Sequence, residues 1–128
     1  MKKLLRIIGI SFGILLLFLL TKCYYFFSEL PDLCANTLIE NITSPDKKWK
    51  VVLFERDCGA TTDFSSQIYL LRVDEKLPNE GGNIYIADGS PDNYRINWAS
   101  NSIVKIRGNS RRIVKKITQL SGVHFVYE

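Results

Sequence analysis

The spacing of hydrophobic positions divides the chain in two. Residues 7–20 carry no charge, and only Gly9, Ser11 and Gly13 interrupt the apolar run; Thr21 and Lys22 lead into Cys23-Tyr24-Tyr25-Phe26-Phe27. A helix over 7–27 would span ~31 Å, close to the hydrocarbon thickness of a bilayer. From residue 49 onward the apolar residues come instead in short β-branched and aromatic runs. Runs 49–56 and 67–73 are apolar on both faces, the pattern of interior strands. Tyr94, Ile96 and Trp98 alternate with Arg95 and Asn97, predicting a half-buried strand. Further strands are predicted over 83–87, 103–107, 112–118 and 123–127. Turns fall at Ser44-Pro45-Asp46-Lys47, Ser100-Asn101-Ser102 and Ser121-Gly122. After the first segment, only 33–42 is a candidate for further helix.

About seven strands joined mostly by short turns favour antiparallel neighbours. The expected fold is mainly β, a small antiparallel meander folded as a sandwich or partly open barrel. One N-terminal transmembrane helix precedes it. The expected division is 1–30 for the anchor and its flanks and 31–128 for the β domain.

Charge adds an orientation. Lys2, Lys3 and Arg6 precede the apolar run, and Glu29 and Asp32 follow it. The bias toward basic residues on the cytoplasmic side places the N-terminus inside and the β domain outside. A cleavable signal peptide shares the basic start and apolar run, but no Ala occurs before Ala35, and Leu33 stands where a small residue would be needed. A lipid-attachment site fails because Lys22 precedes Cys23 and Leu33 precedes Cys34. The reading is therefore an uncleaved signal anchor, single-pass in a bacterial cytoplasmic (inner) membrane. Gly9 and Gly13 have the G-x-x-x-G spacing that lets two such helices approach, which offers a homodimer contact.

The overall charge of +4 comes largely from the anchor. It gives no support to nucleic-acid binding, and an outward-facing domain would meet none. Within the β domain the charge is uneven: residues 93–127 hold seven basic residues and no acidic one. Arg107, Arg111, Arg112, Lys115 and Lys116 form the candidate basic patch, suited to anionic lipid or an acidic envelope polymer.

Two of the three cysteines, Cys34 and Cys58, fall in the outer domain. An even pair in an oxidising compartment predicts a disulfide, worth ~3.5 kcal/mol on the chain-entropy model. Cys58 opens a hydroxyl-rich connection that is too long for a hairpin turn. Arg56, Asp57, Thr61, Thr62 and Asp63 are the candidate binding residues there, because long ordered loops often carry recognition. The alternative is that these groups order the connection itself.

Catalytic chemistry has little to build on. His124 is the only histidine, and on the last strand it faces away from Val123, Phe125 and Tyr127. Asp57, Cys58 and His124 are the only polar set suited to catalysis, and only with a free Cys58 thiol. One histidine and paired cysteines make no zinc set, Asp88-Gly89-Ser90-Pro91-Asp92-Asn93 lacks calcium-loop spacing, and no phosphate-binding glycine pattern occurs. No metal and no cofactor is expected.

Three segments carry a resemblance. They are Ser44-Pro45-Asp46, then Phe54-Glu55-Arg56-Asp57-Cys58-Gly59-Ala60-Thr61-Thr62, then Leu77-Pro78-Asn79-Glu80-Gly81-Gly82-Asn83-Ile84-Tyr85-Ile86-Ala87-Asp88. From about Cys34 to Tyr127 the chain resembles a family of small uncharacterised bacterial envelope proteins, a domain of unknown function. Lys47 stands where Gly usually follows Ser-Pro-Asp, and Asp63 where Gly usually follows the Thr pair. The resemblance implies a bacterial source and an exported domain, and it brings no activity or ligand. The reading is thus a membrane-anchored extracytoplasmic binding or assembly module for an envelope protein or polymer. The alternative is a small membrane-surface enzyme using Asp57, Cys58 and His124.

Overall fold

The computed structural model describes residues 1–28, 34–59 and 64–128. Two compact units emerge, residues 1–32 and 33–128. The first is one helix, α1, Lys2–Ser28. Its stretch Lys2–Phe26 is long and apolar enough to cross a membrane, and none of it is buried within the protein. At 1.5 Å per residue α1 extends ~40 Å. Two of its hydroxyls bond to their own helix: Thr21 Oγ1 donates to the Phe18 carbonyl at 2.8 Å, and Ser28 Oγ to that of Tyr25 at 2.8 Å. In lipid no water would satisfy them.

The second unit is a two-sheet sandwich. Its strands are β1 Ala35–Thr43, β2 Trp49–Asp57, β3 Ser65–Arg72, β4 Tyr85–Asp88, β5 Arg95–Ser100, β6 Ile103–Arg107, β7 Ile113–Lys116, β8 Gln119–Leu120 and β9 Val123–Tyr127, with a 3₁₀ turn at Pro91–Asn93. One sheet has the order β1-β2-β3-β4-β7 and the other β5-β6-β9-β8. Alternate residues of each sheet point inward and meet. Val51, Leu53, Ile68, Leu70, Tyr85 and Ala87 come from the first sheet, and Tyr94, Ile96, Val104, Ile106, Val123 and Phe125 from the second. Tyr85 and Tyr94 touch edge to face with centroids 5.6 Å apart, and their hydroxyls lie 3.3 Å apart. Tyr127 donates to the Ile117 carbonyl at 2.6 Å.

β2 lies between β1 and β3, as its two apolar faces predict. Its outward residues Val52 and Phe54 are as buried as its inward ones, and Leu77 packs against them. The chain between β3 and β4 thus runs as a strap over the outer face. Polar groups hold it there: Asn36 Nδ2 donates to the carbonyls of Pro78 and Glu80, both at 2.9 Å. Gly82 ends the strap against β3. A Cβ at this position would lie 2.5 Å from the Tyr85 carbonyl and 2.8 Å from that of Ile68, so only glycine fits.

Three expectations change. Segment 33–42, the helix candidate, is mostly strand: β1 pairs with β2 along its length. A bulge between Leu38 and Glu40 breaks its alternation, which masks a strand in the sequence. The predicted strand 112–118 ends at Lys116, and the chain crosses to the other sheet as β8. The meander is also incomplete. Most neighbours are antiparallel, but β6 and β9 pair in parallel: between them the chain leaves for the other sheet as β7 and returns as β8, which pairs antiparallel with the far side of β9.

Candidate functional site

Three separate segments meet at one end of the sandwich. Ser65 at the start of β3 pairs with Asp88 at the end of β4. Gly89 N–H donates to the Phe64 carbonyl at 3.0 Å, and Ser66 Oγ to the Gly89 carbonyl at 2.7 Å. Asp88 N–H donates to the Arg112 carbonyl at 3.0 Å, and Ser110 Oγ to the Asp88 carbonyl at 2.6 Å. Gly89 takes a φ of +109°, a left-handed conformation that turns the chain away from β4 without a Cβ clash. Ser90 then caps the 3₁₀ turn by accepting from Asp92 N–H.

These segments enclose an open cleft of about 750 Å³, lined by residues that include Glu55, Phe64, Asp88, Asn93, Asn109 and Arg111. Phe64 is 56% exposed. Beneath this end lies Tyr94. Burial pushes its phenol well above the ordinary range, the Tyr85 hydroxyl adds to the effect, and Ser110 works against it. The cleft thus offers one apolar ring, two carboxylates, two amides and a guanidinium over a rigid floor, a set suited to recognition by hydrogen bonds and stacking.

The sequence-predicted residues distribute unevenly around this end. Thr61, Thr62 and Asp63 lie outside the described residues. Arg56 turns to the outer face, donating to Asn36 Oδ1 at 2.7 Å and to Asn79 Oδ1 at 3.2 Å. Asp57 Oδ1 accepts from Gly59 N–H at 2.8 Å, ordering the start of the connection. Cys34 and Cys58 form the expected disulfide. It extends the β1–β2 ladder by one position beyond Ala35 and Asp57.

The disulfide occupies the Cys58 sulfur, so the Asp57, Cys58 and His124 set has no thiolate to act as nucleophile. His124 is exposed on β9, opposite to buried Val123 and Phe125, and belongs to the other sheet. No group of three or more His, Cys, Asp and Glu residues placed to hold a metal occurs among the described residues.

The residues of the expected basic patch come from β6 and from β7 with the turn before it. Arg107 on β6 pairs with Glu128 Oε2 at 2.8 Å, and Lys105 with Glu128 Oε1 at 2.9 Å. These two cations hold the Glu128 carboxyl below its usual range. Arg111, Arg112, Lys115 and Lys116 gather on and just before β7, the edge of the first sheet.

Glu55, Phe64, Asn93, Asn109 and the role of Asp88 were not legible as a site in the sequence. Nothing in one linear segment shows that 64–66, 88–93 and 108–112 converge. The only local signal is a phenylalanine amid hydroxyls at Thr62-Asp63-Phe64-Ser65, a place where burial is not expected.

A second, smaller groove of about 590 Å³ lies where the strap crosses β1 and β2, lined by residues including Asn36, Leu38, Lys50 and Leu77. Lys50 Nζ there donates to the Val73 carbonyl at 3.0 Å and also to that of Glu75. Its polar groups hold the strap, so the loop-end cleft is the better candidate.

Comparison with known proteins gives one assignment. No curated protein and no solved structure matches the chain. A family model matches residues 1–119, taking in the helix and most of the sandwich. The chain belongs to that family, a family of unknown function (DUF5412).

Proposed function

We propose that the protein is a membrane-anchored recognition module, with α1 in the bacterial cytoplasmic membrane and the β-sandwich displayed outside the cytoplasm. The observation that carries this reading is the pairing of two features in one chain. One is a membrane-length apolar helix with no burial in the protein, and the other a disulfide in the adjoining domain. Disulfides persist in oxidising compartments, so the bond argues for a domain outside the cytoplasm. Recognition of an envelope protein or polymer is assigned to the loop end, where Phe64 lines the cleft and the predicted residues Thr61, Thr62 and Asp63 precede it directly in sequence. Arg56 and Asp57 support that end by ordering the chain that enters it.

The test is site-specific photocrosslinking in intact cells, with a photoreactive residue at Phe64 and, as control, at His124 on the far sheet. A discrete adduct from Phe64 and none from His124 supports the reading. Equal or absent capture at both positions contradicts it. Thr61→Ala with Thr62→Ala, and separately Asp63→Ala, should weaken the Phe64 adduct while leaving the folded fraction unchanged.

A further inference from the structure

The strand β7 and the two residues before it read Arg-Arg-Ile-Val-Lys-Lys, four cations around two branched apolar side chains. β7 is the outer strand of its sheet and is exposed throughout. Ile113 is 46% and Val114 60% exposed. The cations are poorly neutralised. Arg112 approaches Asp88 only to 4.0 Å. Lys115 Nζ donates to the Gly82 carbonyl at 3.1 Å, and Lys116 Nζ stands 4.4 Å from the centre of the Tyr127 ring. No acidic partner of Arg111, Lys115 or Lys116 occurs among the described residues. Lysines on an edge strand discourage pairing with another strand. That explains Lys115 and Lys116 but not Ile113 and Val114 in the open.

We propose that this edge docks on the surface of an anionic lipid bilayer. The cations complement the phosphodiester headgroups, and Ile113 and Val114 enter the boundary between headgroups and acyl chains. A soluble polyanion would match the charge and leave both apolar side chains in water, whereas the lipid boundary takes up both. The proposal rests on the anchored reading above, since α1 would keep a bilayer within reach of every copy. Each basic residue near such a surface favours contact about fivefold, so the four together discriminate sharply between anionic and neutral lipid.

The experiment uses the full chain reconstituted in nanodiscs of phosphatidylcholine, with or without phosphatidylglycerol. Amide hydrogen exchange is followed in residues 111–116 and, as a control for folding, in β2. In the anionic discs exchange over 111–116 should slow at least about tenfold relative to the neutral discs. The protection should vanish in molar salt and in Arg111→Glu with Lys115→Glu, with β2 unchanged. Val114→Ser should reduce it in part. Equal exchange in both discs overturns the proposal. So does protection that appears in neutral discs on adding soluble polyphosphate and is absent from anionic ones, since the contact would then be a polymer. A chain that does not remain with discs of either kind refutes the anchor instead, a separate outcome read by co-elution.

Discussion

At the scale of single residues, the turn before β2 holds one strained backbone position. Ser44 is buried, accepts from Trp49 N–H at 3.0 Å through Oγ and donates to Asp46 Oδ1 at 2.7 Å. That bond lowers the Asp46 carboxyl below its usual range. The geometry places Lys47 at φ 57°, the left-handed region where a Cβ is strained. Glycine at this position would remove the strain and lose some unfolded-state advantage. Lys47→Gly should therefore stabilise the domain by about 0.5–1 kcal/mol, seen as a higher urea midpoint at unchanged slope.

The tyrosines make a pH prediction at the same scale. Burial pushes the Tyr127 phenol up to about 12, and Tyr85 contributes to the rise. Tyr94 is shifted further in the same direction. An unfolded phenol ionises near about 10. Between these values the unfolded chain has released protons that the folded chain still holds, so the unfolded state is favoured as pH rises. From neutral pH to about pH 9 stability should be level, and it should fall from about pH 10 upward. Ultraviolet titration beside thermal melts checks it. A phenolate signal complete before any loss of stability would contradict the buried positions.

At the scale of elements, the legible strands were those whose burial pattern is simple. β2 shows its interior position through two apolar faces, and β5 shows its half-buried one through Ile96 and Trp98. β1 was obscured because most of its residues are exposed and its bulge shifts the alternation in mid-strand. β7 and β8 read as one run because no turn residue separates them. Their division between sheets is set by what each packs against, and composition does not show it. The Cys34–Cys58 bond was readable from cysteine count and compartment, but its place in the β1–β2 ladder was not. Tying the start of β1 to the end of β2, it should hold an otherwise exposed edge strand in register. Cys58→Ser should lower stability by about 2–5 kcal/mol, with exchange in β1 increasing most, whereas Cys23→Ser, at an exposed helix position, should change neither. Equal melting of the Cys58 variant and the parent would refute a structural role for the bond.

At the scale of the whole molecule, the division between apolar helix and β domain was the most legible feature, because a membrane-length run and a strand-rich remainder differ in period and composition. The candidate cleft was the least legible. Its residues are drawn from four segments, up to more than twenty residues apart, and ordinary turn residues such as Asp88-Gly89 and Asn109-Ser110 carry no sign of what they face. The family model spans both the helix and most of the β domain, residues 1–119, and adds no activity. Function thus depends on where the sandwich is displayed. The most direct measurement is the intact, non-reduced mass of the protein purified from the membrane fraction. A mass that retains α1 and is two hydrogens short of the fully reduced chain, with the link mapping to Cys34 and Cys58, is the expected result. A mature N-terminus beyond Leu20, or free thiols at both Cys34 and Cys58, would contradict an anchored domain in an oxidising compartment.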